Sequence, residues 1–401
     1  MKISNFTKYE KENLTRVAAT VVWEDRDRPS QEIYVATTKE FANDLSCNPN
    51  TFLIACTMLA FHYGETRIFI DTEEAEICPE LRDGLITSMH WMRSWYKLDR
   101  DIVQIEAKTN FKTSNTVRPQ RAGMFFSGGV DTFATLRNNR LNFGQDHPAS
   151  IKDGFIVYGI ANTTLEAFEK AFISLLPVTK DAGINLIPVY TNIYRHVKDL
   201  EDSNYNFWKY YFGGSALSAI AHAFVNRLNL VYVASTSEIK HIEPWGSHPL
   251  TDPNYSSYDL RVKYDSVHLS RLDKTKLVVG WDVAFQNLRV CDELVLPTGY
   301  LNCGICHKCT ITMAHLAALD VLDKTNIFPV KELTKERLIK FAHPKTLLEK
   351  GKYQSLIPLF ASIGRDDLVQ ATKYIIARAN LKSNLQKVSK PFLIKKVKES
   401  K

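Results

Sequence analysis

Residues 121 to 140 read RAGMFFSGGVDTFATLRNNR. A short apolar run, Met124-Phe125-Phe126, ends in Ser127-Gly128-Gly129-Val130-Asp131-Thr132, and an apolar-periodic segment with Val130, Phe133, Ala134 and Leu136 follows at once. That order is the pattern of a strand, a tight turn and a helix. The two glycines allow backbone angles and close approach that a side chain forbids, so successive N–H groups can converge on an anion. The helix that starts here adds the positive end of its dipole. Ser127 and Thr132 supply hydroxyl donors, and Asp131 can hold Mg²⁺ against the same phosphates. The stretch is built to grip a phosphate group. It is not the Walker loop, whose Gly-x4-Gly-Lys-Ser/Thr spacing is missing. The plain alternative is a glycine turn joining any strand to any helix.

From Gly123 onward strands and helices alternate, which predicts a parallel sheet covered on both faces. Strands are expected at Met124–Phe126, Gly154–Gly159, Asn185–Tyr190 and Leu230–Ala234, with helices at Leu165–Lys180 and Phe207–Arg227 between them. Sites in such sheets sit at the carboxyl ends of the strands, where SGGVDT lies. The long segment Ser235–Lys263 shows no sustained periodicity and is read as a substrate-side loop. His241, His248 and Asp252 within it match no common metal spacing, and hydrogen-bonding roles suit them better. Lys274 opens a further helix; the spacing leaves open whether it neutralises phosphate or is a solvated surface charge.

Upstream, strands are expected at 16–23, 32–37, 66–71 and 101–107, and helices at 51–62 and 81–96. These describe a folded α/β unit over residues 1–118, with Thr109–Gln120 as its linker. Residues 119–325 form the phosphate-loop domain, and residues 326–401 a helical, basic C-terminal extension with helices at Lys335–Phe341 and Asp366–Leu381. The net charge of +7 is unevenly spread: Lys331 to Lys401 carries 17 basic and 6 acidic residues, a net of +11 that leaves −4 for the rest. Such a tail can bind nucleic acid or an acidic protein surface, but most are simply solvated, so nucleic acid is not favoured as a partner. No apolar run approaches a membrane span, and the first residues lack an apolar signal core. The expectation is a cytoplasmic protein with no membrane partner.

Four of the seven cysteines crowd into Cys291-x11-Cys303-x2-Cys306-x2-Cys309. The x2 spacings suit one ion chelated by a tight turn, with Gly304 curling the backbone between ligands. Structural Zn²⁺ fits four thiolates best, and an Fe–S cluster is the rival. Cys47, Cys56 and Cys78 are spaced unlike ligands and read as buried thiols.

SGGxDT after a strand resembles the PP-loop of the ATP pyrophosphatases, a family with the adenine nucleotide alpha hydrolase-like fold. With Leu272-Asp273-Lys274 and Cys…CxxCxxC following in order, residues Gly123 to Leu319 resemble 7-cyano-7-deazaguanine synthases. The resemblance implies that Phe126, Ser127, Gly128, Gly129, Val130, Asp131 and Thr132 bind ATP, and that Asp131 with Mg²⁺ and Lys274 serve catalysis at the phosphates. It further implies that Cys291, Cys303, Cys306 and Cys309 bind Zn²⁺. The implied activity is a C–N ligase that splits ATP to AMP and pyrophosphate, adenylating a carboxylate for attack by a nitrogen nucleophile. The family lacks the 118-residue N-terminal part and the basic extension. Where it carries a PGRN-like segment, this chain has Tyr211-Phe212-Gly213-Gly214-Ser215-Ala216. Longer synthase-like proteins of this build occur in Qat-type antiphage operons. They imply an antiviral role, a small-molecule or protein-terminus substrate, and a protein partner held by the N-terminal part or the basic tail. Two other readings stay open: a PP-loop thiolase, and a nucleotide-sensing subunit of a defence complex that turns nothing over.

Overall fold

The computed structural model describes residues 1–70, 75–110, 120–160, 164–194, 204–291, 293 and 296–381. Its residues fall into two compact units. Unit 1 holds residues up to Ser127 and from Asp131 to His268; unit 2 holds Gly128–Val130 and the described residues from Leu269 onward.

Unit 1 is mixed α/β. Its strands are β1 (Lys2–Lys11), β2 (Leu14–Val22), β3 (Gln31–Thr38), β4 (Arg67–Ile70), β5 (Glu76–Ile77), β6 (Gln104–Glu106), β7 (Lys108–Thr109), β8 (Ala122–Phe125), β9 (Ile151–Tyr158), β10 (Asn185–Thr191), β11 (Leu230–Ala234) and β12 (Arg261–Asp265). Ten of them form one mostly parallel sheet in the order β12-β11-β8-β9-β10-β3-β2-β1-β4-β6, and β5 pairs with β7 apart from it. The run from β12 to β10 is parallel throughout. Strands β10, β3, β2 and β1 then pair antiparallel, and β4 and β6 follow in parallel.

The strands before residue 118 therefore continue the same sheet. The seam is the β10–β3 ladder, where Val189 lies opposite Thr37 and Thr191 opposite Val35. Side chains reinforce it: Thr37 Oγ1 donates to the Pro188 carbonyl at 2.7 Å, and the Tyr34 N–H donates to Asn192 Oδ1 at 2.8 Å. The expected linker falls mostly on residues outside the described ones.

The helices of unit 1 are α1 (Pro49–Tyr63), α2 (Pro79–Tyr96), α3 (Val130–Asn142), α4 (Leu165–Ala182), α5 (Asn204–Phe207) and α6 (Gly213–His222). Helix α1 has apolar residues on every face and is buried from Asn50 to Phe61, as expected of a central helix. Asn48 caps its start and Pro49 occupies its first position; Gly64, in the left-handed region, ends it. Helix α4 is amphipathic, capped by Thr164 and closed by Gly183. A single core joins Phe52, Met58 and Phe61 of α1 to Phe155, Ile187 and Val189 of the parallel strands and to Phe224 after α6.

Three features depart from the sequence pattern. Strand β1 was not expected, because KISNFTKYEK buries only one residue fully and shows no alternation. Strand β12, RVKYD, is a short polar edge strand at the end of the segment read as a loop. The helix expected over Phe207–Arg227 is broken by a π-helical stretch, Trp208–Phe212, and α6 ends at His222. Widened turns of this kind often mark functional positions. Gly214 lets the segment lie against its neighbours, since a Cβ there would sit 2.3 Å from Asp252 Oδ1 and 2.6 Å from the Gly246 carbonyl.

Unit 2 is helical among the described residues: α7 (Arg271–Val279), α8 (Asp282–Phe285), α9 (His307–Ala318), α10 (Lys335–Phe341), α11 (Leu347–Gln354) and α12 (Ile357–Ser362), with residues 366–381 helical beyond them. Capping boxes at Ser270/Asp273 and Thr346/Glu349 start α7 and α11. The basic segment after residue 381 lies outside the described residues. No described helix is long and apolar enough to cross a membrane.

The amino ends of the parallel strands are tied by one carboxylate. Asp153 on β9 is fully buried and takes two hydrogen bonds from Arg121, at 2.5 and 2.8 Å, and two from Arg227, at 3.0 and 2.9 Å. Asn185 on β10 donates a fifth at 2.9 Å. Burial pushes the carboxyl up, but the Arg121 and Arg227 hydrogen bonds outweigh it and hold it below the usual range. Asp153→Ala strands two partly buried guanidiniums and should cost about 3–5 kcal/mol in denaturant unfolding. Because the folded carboxyl is depressed, its contribution is present above the unfolded value of about 3.9. It should fade as pH falls through the lower folded value, while the variant's stability stays flatter with pH over that range.

Candidate functional site

Strand β8 ends at Phe125, and the Phe126 N–H still donates to the Phe155 carbonyl at 2.8 Å. The Phe126 ring is buried 5.4 Å from that of Phe133 on α3, so the turn is anchored by apolar contact on both sides. Gly128 takes φ of +78°, a conformation that strains any residue with a Cβ. Phe126, Val130 and Phe133 are buried, whereas Ser127 is exposed and Asp131 and Thr132 are half-buried on the first turn of α3. The apolar residues of the motif hold the backbone and the polar ones stay accessible. The two units divide within this turn, and in unit 2 the Gly128 carbonyl accepts from the Arg289 N–H at 2.9 Å.

The turn occupies a topological switch point. In chain order β8, β9 and β10 step one way across the sheet, and β11 and β12 lie on the other side of β8. The strand order thus reverses between β8 and β11, and in open parallel sheets ligands characteristically bind at the carboxyl ends of the strands at such a reversal. Pairing of Tyr232 with Met124 brings the chain after Ala234 alongside the chain after Phe126.

That edge is polar and tightly bonded. The Ser235 N–H donates to the Asp265 carbonyl at 3.0 Å, and Ser235 Oγ bonds the Ser237 carbonyl. Ser266, buried and at φ of +63°, donates to Asp265 Oδ2 at 2.8 Å and lies 3.2 Å from Thr135 Oγ1, one turn after Asp131 on α3. A non-glycine residue held in this region is a strained position kept by its surroundings. Burial pushes the Tyr264 hydroxyl well above its usual range; the Asp252 carboxylate adds to this, and Asp131 contributes more weakly.

The segment after β11 is ordered by its own polar groups. His241 Nδ1 meets Glu238 Oε1 at 2.8 Å. His248 is largely buried, its Nδ1 accepting from the Leu250 N–H at 3.0 Å, and burial pushes it down. Asp252, fully buried, accepts from Ser247 Oγ at 2.6 Å and the His248 N–H at 3.0 Å, and burial pushes it up to about 7. These three residues each have separate partners, and they do not form a metal-holding group.

Comparison with protein-family models, with curated proteins and with solved structures yields no match.

In unit 2, Lys274 lies on the first turn of α7 and is 1% exposed, which rules out a solvated surface charge. Helix α7 packs against α9, whose first residues carry the cysteine cluster. The four sulfurs of Cys291, Cys303, Cys306 and Cys309 all lie within 4.8 Å of one another, with Cys291–Cys306 and Cys303–Cys309 at 3.8 Å. Metal–sulfur bonds of about 2.3 Å put the edges of a tetrahedron at about 3.8 Å. The cluster can hold a metal ion such as zinc. Backbone N–H groups of Glu293, Ile305, Cys306 and Cys309 point at the sulfurs from 3.3 to 3.4 Å, as they do around thiolate ligands. Sulfur–sulfur hydrogen bonding, with Cys309 foremost, pushes Cys306 down to about 5, while burial pushes Cys291 up to about 11. Four thiolates this close repel one another, so full ionisation calls for a cation among them.

Gly304, at φ of +73°, curls the knuckle, and its carbonyl accepts from Arg337 Nη2 of α10 at 2.8 Å. His307 turns away, with Nε2 3.7 Å from Glu349 of α11. The sequence reading missed Asn302. Its buried Oδ1 accepts from the N–H groups of Val290 and Cys291, and its Nδ2 donates to the carbonyls of Leu288 and Ile327. It holds the distant first cysteine beside the CxxCxxC turn; its place directly before Cys303 was the only signal. The purified chain should contain about one tightly held metal ion, measured by elemental analysis. Cys306→Ser should lose most of it, and Asn302→Leu should weaken retention against a chelator by about 10–100-fold.

Proposed function

We propose that this chain is an ATP-dependent C–N ligase of the PP-loop class, resembling 7-cyano-7-deazaguanine synthases. It splits ATP to AMP and pyrophosphate and adenylates a carboxylate for attack by a nitrogen nucleophile. The carrying observation is the SGGVDT turn at the carboxyl end of β8, with Gly128 left-handed, its apolar residues buried and its polar residues accessible at a switch point.

In this reading the amides and hydroxyls from Phe126 to Thr132 grip the phosphates of ATP, and α3 contributes its positive end. Asp131 holds Mg²⁺, which when bound neutralises phosphate charge. Lys274 supplies a second cation, a role its burial suits, since an ammonium out of water is a stronger electrostatic partner than a solvated one. The four cysteines hold structural Zn²⁺, which fixes the start of α9 and through it the packing of α7. No covalent protein nucleophile is required, because positioning and charge neutralisation carry the reaction. The acceptor is a small carboxylate or a protein terminus presented by a partner, in an antiviral setting in the cytoplasm. The accessible carboxyl edge of the parallel strands is where either would meet the nucleotide.

The test is release of AMP and pyrophosphate from ATP and Mg²⁺ with 7-carboxy-7-deazaguanine and ammonium chloride. Asp131→Ala should lower turnover by about 100-fold or more with an unchanged circular dichroism spectrum. Nucleotide binding by the wild type with no AMP formed would reject the enzyme in favour of a sensing subunit.

A further inference from the structure

On the carboxyl side of β11, the strand hydrogen-bonded to β8, lies an acid–imidazole pair with no role in the proposed adenylation. Directly after β11, the short helix Ile239–His241 follows Glu238, and the two ends of this turn face each other. His241 Nδ1 lies 2.8 Å from Glu238 Oε1, and the other oxygen of that carboxylate is 3.3 Å from Lys240 Nζ. Glu238 is 20% exposed and His241 37%, so the carboxylate is sheltered while the ring stays reachable. The backbone is fixed as well: the His241 N–H donates to the Glu238 carbonyl at 2.9 Å, and the Ile239 N–H to the Val267 carbonyl at 2.7 Å, beyond β12.

A carboxylate only accepts, so the Nδ1 atom of neutral His241 carries the proton and the lone pair stands on Nε2. Among the described residues Nε2 meets no hydrogen-bonding partner. The neighbouring histidines differ. His222 is fully buried, with both ring nitrogens engaged by Ser218 and Ser257, and burial pushes it down to about 4. His248 is largely buried, and its Nδ1 is spent on the Leu250 N–H. His241 joins an orienting carboxylate, a fixed tautomer, an accessible Nε2 and a place on the carboxyl edge of the sheet. That is the logic of a general base held by a third group.

We infer that His241, oriented by Glu238, is the base for the second half of the proposed reaction, so the inference rests on that reading. The nitrogen nucleophile attacks the carbonyl carbon of the acyl-adenylate and the new C–N bond forms. The C–O bond to the phosphate of AMP breaks, and its electron pair leaves with AMP. The proton shed by nitrogen passes to His241 Nε2 and from there to water. Adenylation needs no such base, because a carboxylate attacks the α-phosphate without a proton to lose. His241 therefore acts in one half-reaction only, and Glu238 is its positioning residue.

The experiment separates the halves. Exchange of labelled pyrophosphate into ATP, with 7-carboxy-7-deazaguanine and Mg²⁺, reports adenylation; amide formed on adding ammonium chloride reports transfer. In His241→Ala, exchange should stay within about twofold of wild type, and transfer should fall by about 10²–10⁴-fold. Added imidazole should restore part of the transfer rate, which it would not do for a merely structural residue. Glu238→Gln should lower transfer less and leave exchange intact. Unchanged transfer in His241→Ala, or equal loss of both halves without rescue, overturns the assignment while the adenylating reading stands. Absence of exchange in the wild type overturns that reading and this one together.

Discussion

Strands β8 to β12 all run in one direction, and a parallel ladder can be built only through crossover connections. Every carboxyl end then opens on one edge and every amino end on the other. The rest of unit 1 follows from this division. The amino edge is closed by Asp153, whose oxygens are filled by Arg121, Arg227 and Asn185. The carboxyl edge carries the glycine turn, the left-handed Ser266 and the Glu238–His241 pair. Charge is neutralised internally at the amino edge, whereas at the carboxyl edge Ser127 remains exposed and the His241 ring partly exposed.

The antiparallel strands are an extension of that scaffold. Hydrogen bonding of β10 to β3 removes what would otherwise be an open edge of the parallel strands, with the polar side chains of Thr37 and Asn192 bonded across the seam. Helix α1, apolar on every face, has no solvent side, and it packs against α6 within the core it shares with the parallel strands. The strands of the first hundred residues are therefore structurally part of the sheet that contains β8.

Unit 2 is organised differently. Its described part is helical, and the cysteine cluster ties a distant residue, Cys291, to a turn that also begins α9. Chelation by CxxCxxC is local, but the fourth ligand must be delivered, and Asn302 does this with four hydrogen bonds to backbone on either side. A metal ion bound there would tie Cys291 to the start of α9, the helix against which α7 with Lys274 packs.

What the amino-acid order determined by itself was local. Six residues from Ser127 to Thr132 announce a turn between strand and helix, because glycine, hydroxyl and carboxylate positions there are set by bonds a few residues apart. The x2 spacing of three cysteines gathers their sulfurs for the same reason, and the helices at 335–341 and 366–381 declare themselves by their period. Only the tertiary structure decided the burial of Lys274, the continuation of the sheet from β10 into β3, and the inclusion of β1 and β12. It also decided the partners of Asp153, one of them 74 residues away. These are contacts between distant segments, where a polar strand such as KISNFTKYEK carries no alternation to betray its neighbours. A lysine's solvation likewise depends on what the remainder of the chain stacks over it.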